Sequence, residues 1–376
     1  MNVSVSQALF SQALGIVSHA VASKSSMPIL SNIYLSAENG DLRISATNLE
    51  LGINYCIPAE VTEEGAVTVP AKLLIDFVNT LPDDTVSLEL DAKTQTLSVR
   101  CKQVISMIKG IDANDFPPIP EFDENEAVTF NGADFRKMIS QVAFAASTED
   151  ARPILQGVYL SVEGTTMTMV ATDGYRIAIR NVTLQDSFDE PISVIIPART
   201  MLELVRITSD ATKQIMMNLS PNKNQVIFHM HQIELASQII AGKYVDYKAI
   251  VPKNFKTNTV VSTSALLKAC TQAIIITRET KYLTRFNITG EESGAGKIQI
   301  TAHSEETGFY ENEIDANVDG QDLAIAFNAR FLQDVLEVVT TPNVSIRTNT
   351  NVSPGLIVPL DDELDYQYVI MPMHLG

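Results

Sequence analysis

The sequence repeats itself three times, and that limits the fold more than any other property of the chain. VSVSQALFSQALGIV (3–17), VTFNGADFRKMISQV (128–142) and VVSTSALLKACTQAI (260–274) each read as a short β run, a capping residue and an amphipathic helix. Ser6, Asn131 and Thr263 stand at the expected caps, where a side-chain oxygen can accept from first-turn N–H groups. Apolar residues recur at a helical period through Leu9, Phe10, Ala13, Leu14 and Val17 in the first copy, and through Phe135, Ile139 and Val142 in the second. The match continues from MPILSNIYLS (27–36) to RPILQGVYLS (152–161), and from LRISATNLELGI (42–53) to MTMVATDGYRIAI (167–179) and IQITAHSEETGFY (298–310). A second helix opens at VPAKLLIDFVNTL (69–81), IPARTMLELVRI (196–207) and FNARFLQDVLEVV (327–339). The spacing is about 125 residues and then about 131, far longer than a solenoid repeat, so these are duplicated domains.

Each copy closes on strand-like runs: 96–110, 225–240, and 355–360 with 366–373. Within a copy, strand, helix and three strands occur twice, as in 3–57 and 66–109. Two helices against antiparallel sheets make an α+β architecture. Polar, Pro-containing stretches at 116–127 and 251–257 read as linkers with little to anchor them to a core. The expected domains are 1–122, 123–253 and 254–376.

Chemistry is sparse. Asp173 in ATDGYR reads as a hairpin turn before it reads as a catalytic residue, and the first and third copies carry Asn48 and Ser304 there. GAGK (294–297) fails the phosphate-loop spacing, because Glu291 stands at the first Gly position and Ile298 at the Ser/Thr position, so a hairpin tip is expected. His229 and His231 would share one strand face but have no further metal ligand nearby in sequence. Cys56, Cys101 and Cys270 form no CxxC pair and read as free thiols. The opening MNVSVSQALF has neither a charged n-region nor a long apolar run, so it does not resemble a signal peptide and a cytoplasmic protein is expected. The reading is of a protein without catalysis, cofactor or metal. Its rivals are a duplicated enzyme acting through Asp173 and a scaffold with no nucleic-acid role. The net charge of -18 argues against a sequence-reading DNA binder, yet leaves room for basic residues gathered on one surface.

With MPIL, ATDGYR, IPAR, DFPPIP and the closing VIMPM on three tandem copies, the whole chain resembles the bacterial replicative sliding clamp family, the beta subunits of DNA polymerase III. That resemblance implies three clamp domains per chain and a ring formed by a head-to-tail homodimer. Duplex DNA passes through the ring without sequence readout. Polymerase, clamp loader and repair proteins dock through short peptides of the Gln-Leu-x-Leu-Phe type. It implies a peptide groove between the second and third domains at Leu155, Thr172, Gly174, Tyr175, Arg176, Ile177, Val245, Ile250, Val369, Met371, Pro372 and Met373. It implies DNA-facing positions at Lys24, Lys72, Arg152 and Arg199, out of a wider set of helix-associated bases. Ile108, Ile275 and Ile276 are the expected dimer contacts. Val245, Ala249, His374 and the added Gly376 depart from the enterobacterial pattern, so the peptide preference is expected to differ. The Met-rich end raises its own question: Val369, Met371 and Met373 alternate with Ile370 as in a strand, so it reads equally as core or as groove wall.

Overall fold

The computed structural model describes residues 1–124, 127–209, 212–291, 294–360 and 365–374. Leu375 and Gly376 lie outside them, as do Asn125 and Glu126 of the first linker. The chain forms two compact units, residues 1–135 with 203–239, and 136–202 with 240–376.

The first unit holds a five-stranded and an eight-stranded sheet. Its chain runs β1 (Asn2–Ser6), α1 (Gln7–Val17), β2 (Asn32–Glu38), β3 (Asp41–Thr47), β4 (Leu51–Pro58), β5 (Glu60–Glu63), β6 (Gly65–Pro70), α2 (Ala71–Asn79), β7 (Thr85–Asp91), β8 (Thr96–Cys101) and β9 (Val104–Lys109). The strand-helix-three-strand half-repeat is therefore present, with the short β5 as an addition. The second copy begins with β10 (Val128–Asn131) and α3 (Gly132–Val142). It contributes β13 (Gln214–Leu219), β14 (Gln225–Met230) and β15 (Ile233–Gln238) to the larger sheet, in the order β10-β13-β14-β15-β4-β3-β2-β6. Phe135 is fully buried between Phe130, at a centroid distance of 4.6 Å, and Phe228, at 6.0 Å.

The second unit is one ten-stranded sheet. It contains β11 (Gly157–Thr172), β12 (Arg176–Pro197), then the first half of α4 (Ala198–Ile207), β16 (Thr257–Ser262), α5 (Thr263–Ile276), β17 (Leu283–Gly290), β18 (Ala295–Ser304), β19 (Gly308–Gly320), β20 (Leu323–Asn328), α6 (Ala329–Val338), β21 (Asn343–Thr348), β22 (Gly355–Pro359) and β23 (Tyr366–Ile370). β23 lies between β12 and β22, and sheet strands covered on both faces lose the polar–apolar alternation. Tyr366, Tyr368, Val369 and Ile370 are accordingly all buried.

The helix caps correct two expectations. Asn131 Oδ1 accepts from the N–H groups of Ala133 and Asp134, as expected. Ser6 occupies its cap without a side-chain bond. At α5 the cap is Ser262, whose Oγ accepts from Ala265 N. Thr263 is the first helical residue and its hydroxyl donates to Thr341 O at 2.8 Å.

The linkers are also better anchored than their composition implies. Phe116 stacks on Tyr34 at 5.1 Å. Ile119 packs so closely over Gly52 that a Cβ there would lie 3.1 Å from it. Val251 and Phe255 pack on a buried apolar cluster of the second unit. A few apolar residues suffice because each meets a flat sheet face.

Candidate functional site

All the predicted groove residues fall in the second unit, around the β12–β23 pairing. The turn before β12 is braced locally. Thr172 Oγ1 donates to Arg176 O at 2.6 Å and accepts from Gly174 N at 3.0 Å. Asp173 Oδ1 accepts from Tyr175 N and Arg176 N, so this aspartate is spent on the turn. Gly174 has φ +91°, a region where a Cβ is strained, and a Cβ there would also meet Arg152 Nη1 at 2.9 Å.

Ile177 and Val369 pair across the strands and join Val170, Ile179, Ile195, Tyr244 and Leu356 in a buried cluster. They form the floor. Leaving the strand after Ile370, the chain stays pinned by its backbone. Met371 N donates to Tyr175 O and Met373 N to Ala326 O, both at 2.8 Å. The Met-rich end is thus core up to Ile370 and surface wall beyond it. Tyr175, at 58% exposure, Val245, Ile250 and Met371 stand open around the floor, with Leu155, Pro372 and Met373 half-buried. Exposed apolar residues grouped over a rigid floor suit an apolar peptide.

Arg176 departs from the expectation of a groove contact. Its guanidinium is buried, with Nε donating to Asp173 Oδ2 at 3.0 Å, Nη1 to Asp334 Oδ2 at 2.6 Å and Nη2 to Phe144 O at 3.0 Å. It also lies 4.3 Å from the centroid of the Phe331 ring. Burial opposes its charge, but Tyr368, Asp334 and Asp173 outweigh that and raise its pKa. Arg176 holds the floor from beneath. Thr172, Ile177 and Val369 are likewise buried, so their contribution to the groove is support.

The predicted basic positions lie at helix starts and nearby turns. Lys72 and Arg199 occupy the second residue of α2 and α4, and Arg330 the second of α6. Lys24, Lys72 and Arg199 are exposed. Arg152 is half-buried and paired with Glu149 at 2.6 Å.

The dimer expectation needs one correction. Ile108 is 2% exposed, paired with Leu97 on β8, and belongs to its own core. The exposed apolar residues of β9 are Val104, Ile105 and Met107. Ile275 is exposed and Ile276 half-buried at the end of α5. The two-histidine reading also changes. His231 has φ +56° in the turn after β14, while His229 stacks on Phe122 at 5.0 Å. Among the described residues no group of three or more His, Cys, Asp or Glu side chains could hold a metal. No described helix is long and apolar enough to cross a membrane.

Three copies of one α+β domain, with Tyr175, Val245, Ile250 and Met371 exposed over a buried apolar floor, fit the class of proteins that work by docking others. Family models for the DNA polymerase III beta subunit match in succession: the N-terminal domain at residues 1–120, the central domain at 129–246 and the C-terminal domain at 248–374. The chain belongs to the DNA polymerase III beta subunit family. It is 30% identical to the beta sliding clamp of Synechococcus elongatus, covering 96% of each chain, and 28% identical to that of Pseudomonas putida over the full length of both. Among solved structures, the DNA polymerase sliding clamp from Bacillus subtilis matches with a TM-score of 0.94 at 25% identity over all of both chains. A Pseudomonas aeruginosa sliding clamp solved with bound griselimycin matches at 0.92 and 27%.

Proposed function

We propose that this chain is a non-catalytic DNA sliding clamp: two copies close head to tail around duplex DNA and tether a polymerase by a peptide seated in the groove described above. The domains run 1–122, 123–253 and 254–376, the location is cytoplasmic, and no cofactor takes part. The observation that carries ring closure is a strand junction that occurs twice within the chain and leaves matched edges for a third. β15 pairs with β4, setting Ala236 opposite Gly52. β23 pairs with β12, setting Val369 opposite Ile177. The corresponding strands left over are β9, at the end of its sheet, and the first half of β19, which among the described residues pairs with β18 alone.

The register follows from the hairpins. Ala46 faces Ile53, Ala171 faces Ala178 and Ala302 faces Tyr310, so Gly52, Ile177 and Phe309 are equivalent. Met107 holds the place of Ala236, three residues into the strand after a two-residue turn. Phe309 of one copy therefore lies opposite Met107 of the other. These are among the most exposed apolar side chains, at 60% and 74%. Pairing them removes both edge and apolar surface from water.

DNA contact is assigned to Lys24, Lys72, Arg152 and Arg199. A basic second residue opens the second helix in all three copies (AKLL, ARTM, ARFL), although the helix macrodipole disfavours cations there. Three repetitions of a locally unfavourable choice favour a ligand, and enclosed DNA requires only weak, exchangeable phosphate contacts. The test is retention on nicked circular DNA with a clamp loader. Loaded protein should stay on the circle and leave on linearisation. Lys24→Glu, Arg152→Glu and Arg199→Glu together should impair loading with the melting temperature held. Normal loading by that variant would remove these residues from the DNA surface.

A further inference from the structure

The segment joining the second and third copies forms a rim of the groove, and its charge is opposite to that of the chain as a whole. Tyr244 belongs to the buried floor cluster, with Tyr247, Val251 and Phe255 packed against it. Val245 and Ile250 stand exposed beside it. Interleaved with these anchors are Lys243, Lys248, Lys253 and Lys256, all exposed, against one carboxylate, Asp246, in the same stretch. Among the described residues, the lysines engaged in ion pairs are Lys102 and Lys297, and Lys248 Nζ lies 6.0 Å from the centroid of the Tyr247 ring, so none of the four rim ammonium groups is neutralised by a described carboxylate. Burial, with Glu163 and Asp246 nearby, raises the pKa of Tyr247.

The first linker provides an internal control. It runs along its own sheet in the same manner, with Phe116 on Tyr34 as Tyr247 lies beside Tyr159. The turn it borders is also the same, because Thr47 Oγ1 donates to Leu51 O and accepts from Leu49 N as Thr172 does with Arg176 and Gly174. The following strand is pinned alike, with Gln238 N donating to Glu50 O where Met371 N donates to Tyr175 O. Two things differ. Ile119 lies over Gly52, filling the space that the Ile177 side chain takes at the second junction. The linker from 110 to 127 carries Asp112, Asp115, Glu121, Asp123, Glu124 and Glu126 with no Lys or Arg. The linker's structural task is thus compatible with a wholly acidic composition. The lysines appear where the groove is open.

We infer that the groove selects apolar peptides whose flanking residues are acidic, with Lys243, Lys248 and Lys253 as the specificity-determining rim. The inference rests on the groove reading above and names the ligand class of that site. On a chain of net charge -18, an acidic peptide is repelled elsewhere and drawn to this rim, so charge sets partner choice and association rate while the apolar anchor supplies the hold.

The test uses the intact protein and three peptides sharing one Leu-x-Leu-Phe anchor, flanked by Glu, Ser or Lys residues. Fluorescence anisotropy at about 50 mM salt should rank them Glu, Ser, Lys, with about tenfold between the extremes, and the spread should collapse near 0.5 M salt. Lys243→Glu, Lys248→Glu and Lys253→Glu together should reverse the ranking while the Ser-flanked peptide stays within about twofold, since the anchor is untouched. The same ranking in wild type and the reversed-charge variant would overturn the inference. So would a variant that loses retention on circular DNA but keeps the ranking, because the lysines would then serve nucleic acid. If none of the peptides binds even the wild type, the groove reading itself fails.

Discussion

Arg176 shows what one residue does in this fold. Its side chain gathers Asp173, Asp334 and the Phe144 carbonyl under the groove floor. Replacing it with Ala removes the shared cation, although Asp173 keeps its backbone donors and Asp334 keeps Arg330 at 3.3 Å, so Arg176→Ala should destabilise the second unit by about 1.5–3 kcal/mol. Lys should rescue little of it, because one ammonium cannot span a planar fork of three acceptors. Thermal melting of both variants checks this, and a Lys variant that melts like the wild type would rule out the fork. The role was not legible in ATDGYR. Asp173 three residues away is local, but Asp334 and Phe331 lie in another copy of the repeat, and spacing alone does not bring them together. The turn role of Asp173 was legible, because an Asx turn is written in adjacent residues.

β23 and its tail separate two physical tasks that the sequence ran together. The alternation in YVIMPM left core and groove wall equally open, because a central strand has two covered faces and only tertiary context decides that. Deleting residues 372–376 removes the Pro372–Met373 wall and the Met373 N to Ala326 O bond, while Tyr368 to Ile370 keep their sheet. Affinity for a Gln-Leu-x-Leu-Phe peptide should fall by about 1–3 kcal/mol, roughly 5- to 150-fold, with little change in melting temperature. Full-strength binding by the truncated protein would dismiss the tail as a wall. The strand itself predicts a pH response. Burial raises the pKa of Tyr366 and Tyr368, whose hydroxyls donate to Gln141 O and Phe331 O at 2.9 Å. Their folded pKa values lie above the unfolded one, so the unfolded state releases its protons first. Stability is then whole below the unfolded phenol pKa near 10 and is lost above it, by about 1.4 kcal/mol per pH unit for each tyrosine. Melting temperatures recorded from pH 8 to 11 should hold and then drop, and Tyr366→Phe should flatten the drop.

At the scale of the whole molecule the repeat was the most legible feature, since domain duplication leaves landmarks at fixed spacing. The closing surface was less so. Ile108 was expected to face a partner, but a one-residue difference in a strand turns a side chain from solvent to core, and Met107 is the outward neighbour. The register inferred from β4–β15 and β12–β23 makes the closing contact specific enough to test. Met107→Glu sets a carboxylate against Phe309, and removing one central apolar contact while burying a charge should weaken dimerisation by about 2–4 kcal/mol, roughly 30- to 1000-fold. A Phe309→Lys change should restore much of this when combined with Met107→Glu, because opposite charges directly across a strand pair attract. The same Phe309→Lys with Ile105→Glu should not, since Ile105 faces Glu311 two positions along. Sedimentation across a dilution series distinguishes these. Equal rescue of both partners would mean that the edges meet in another register, and dimers unaffected by Met107→Glu would place the seam away from β9 altogether.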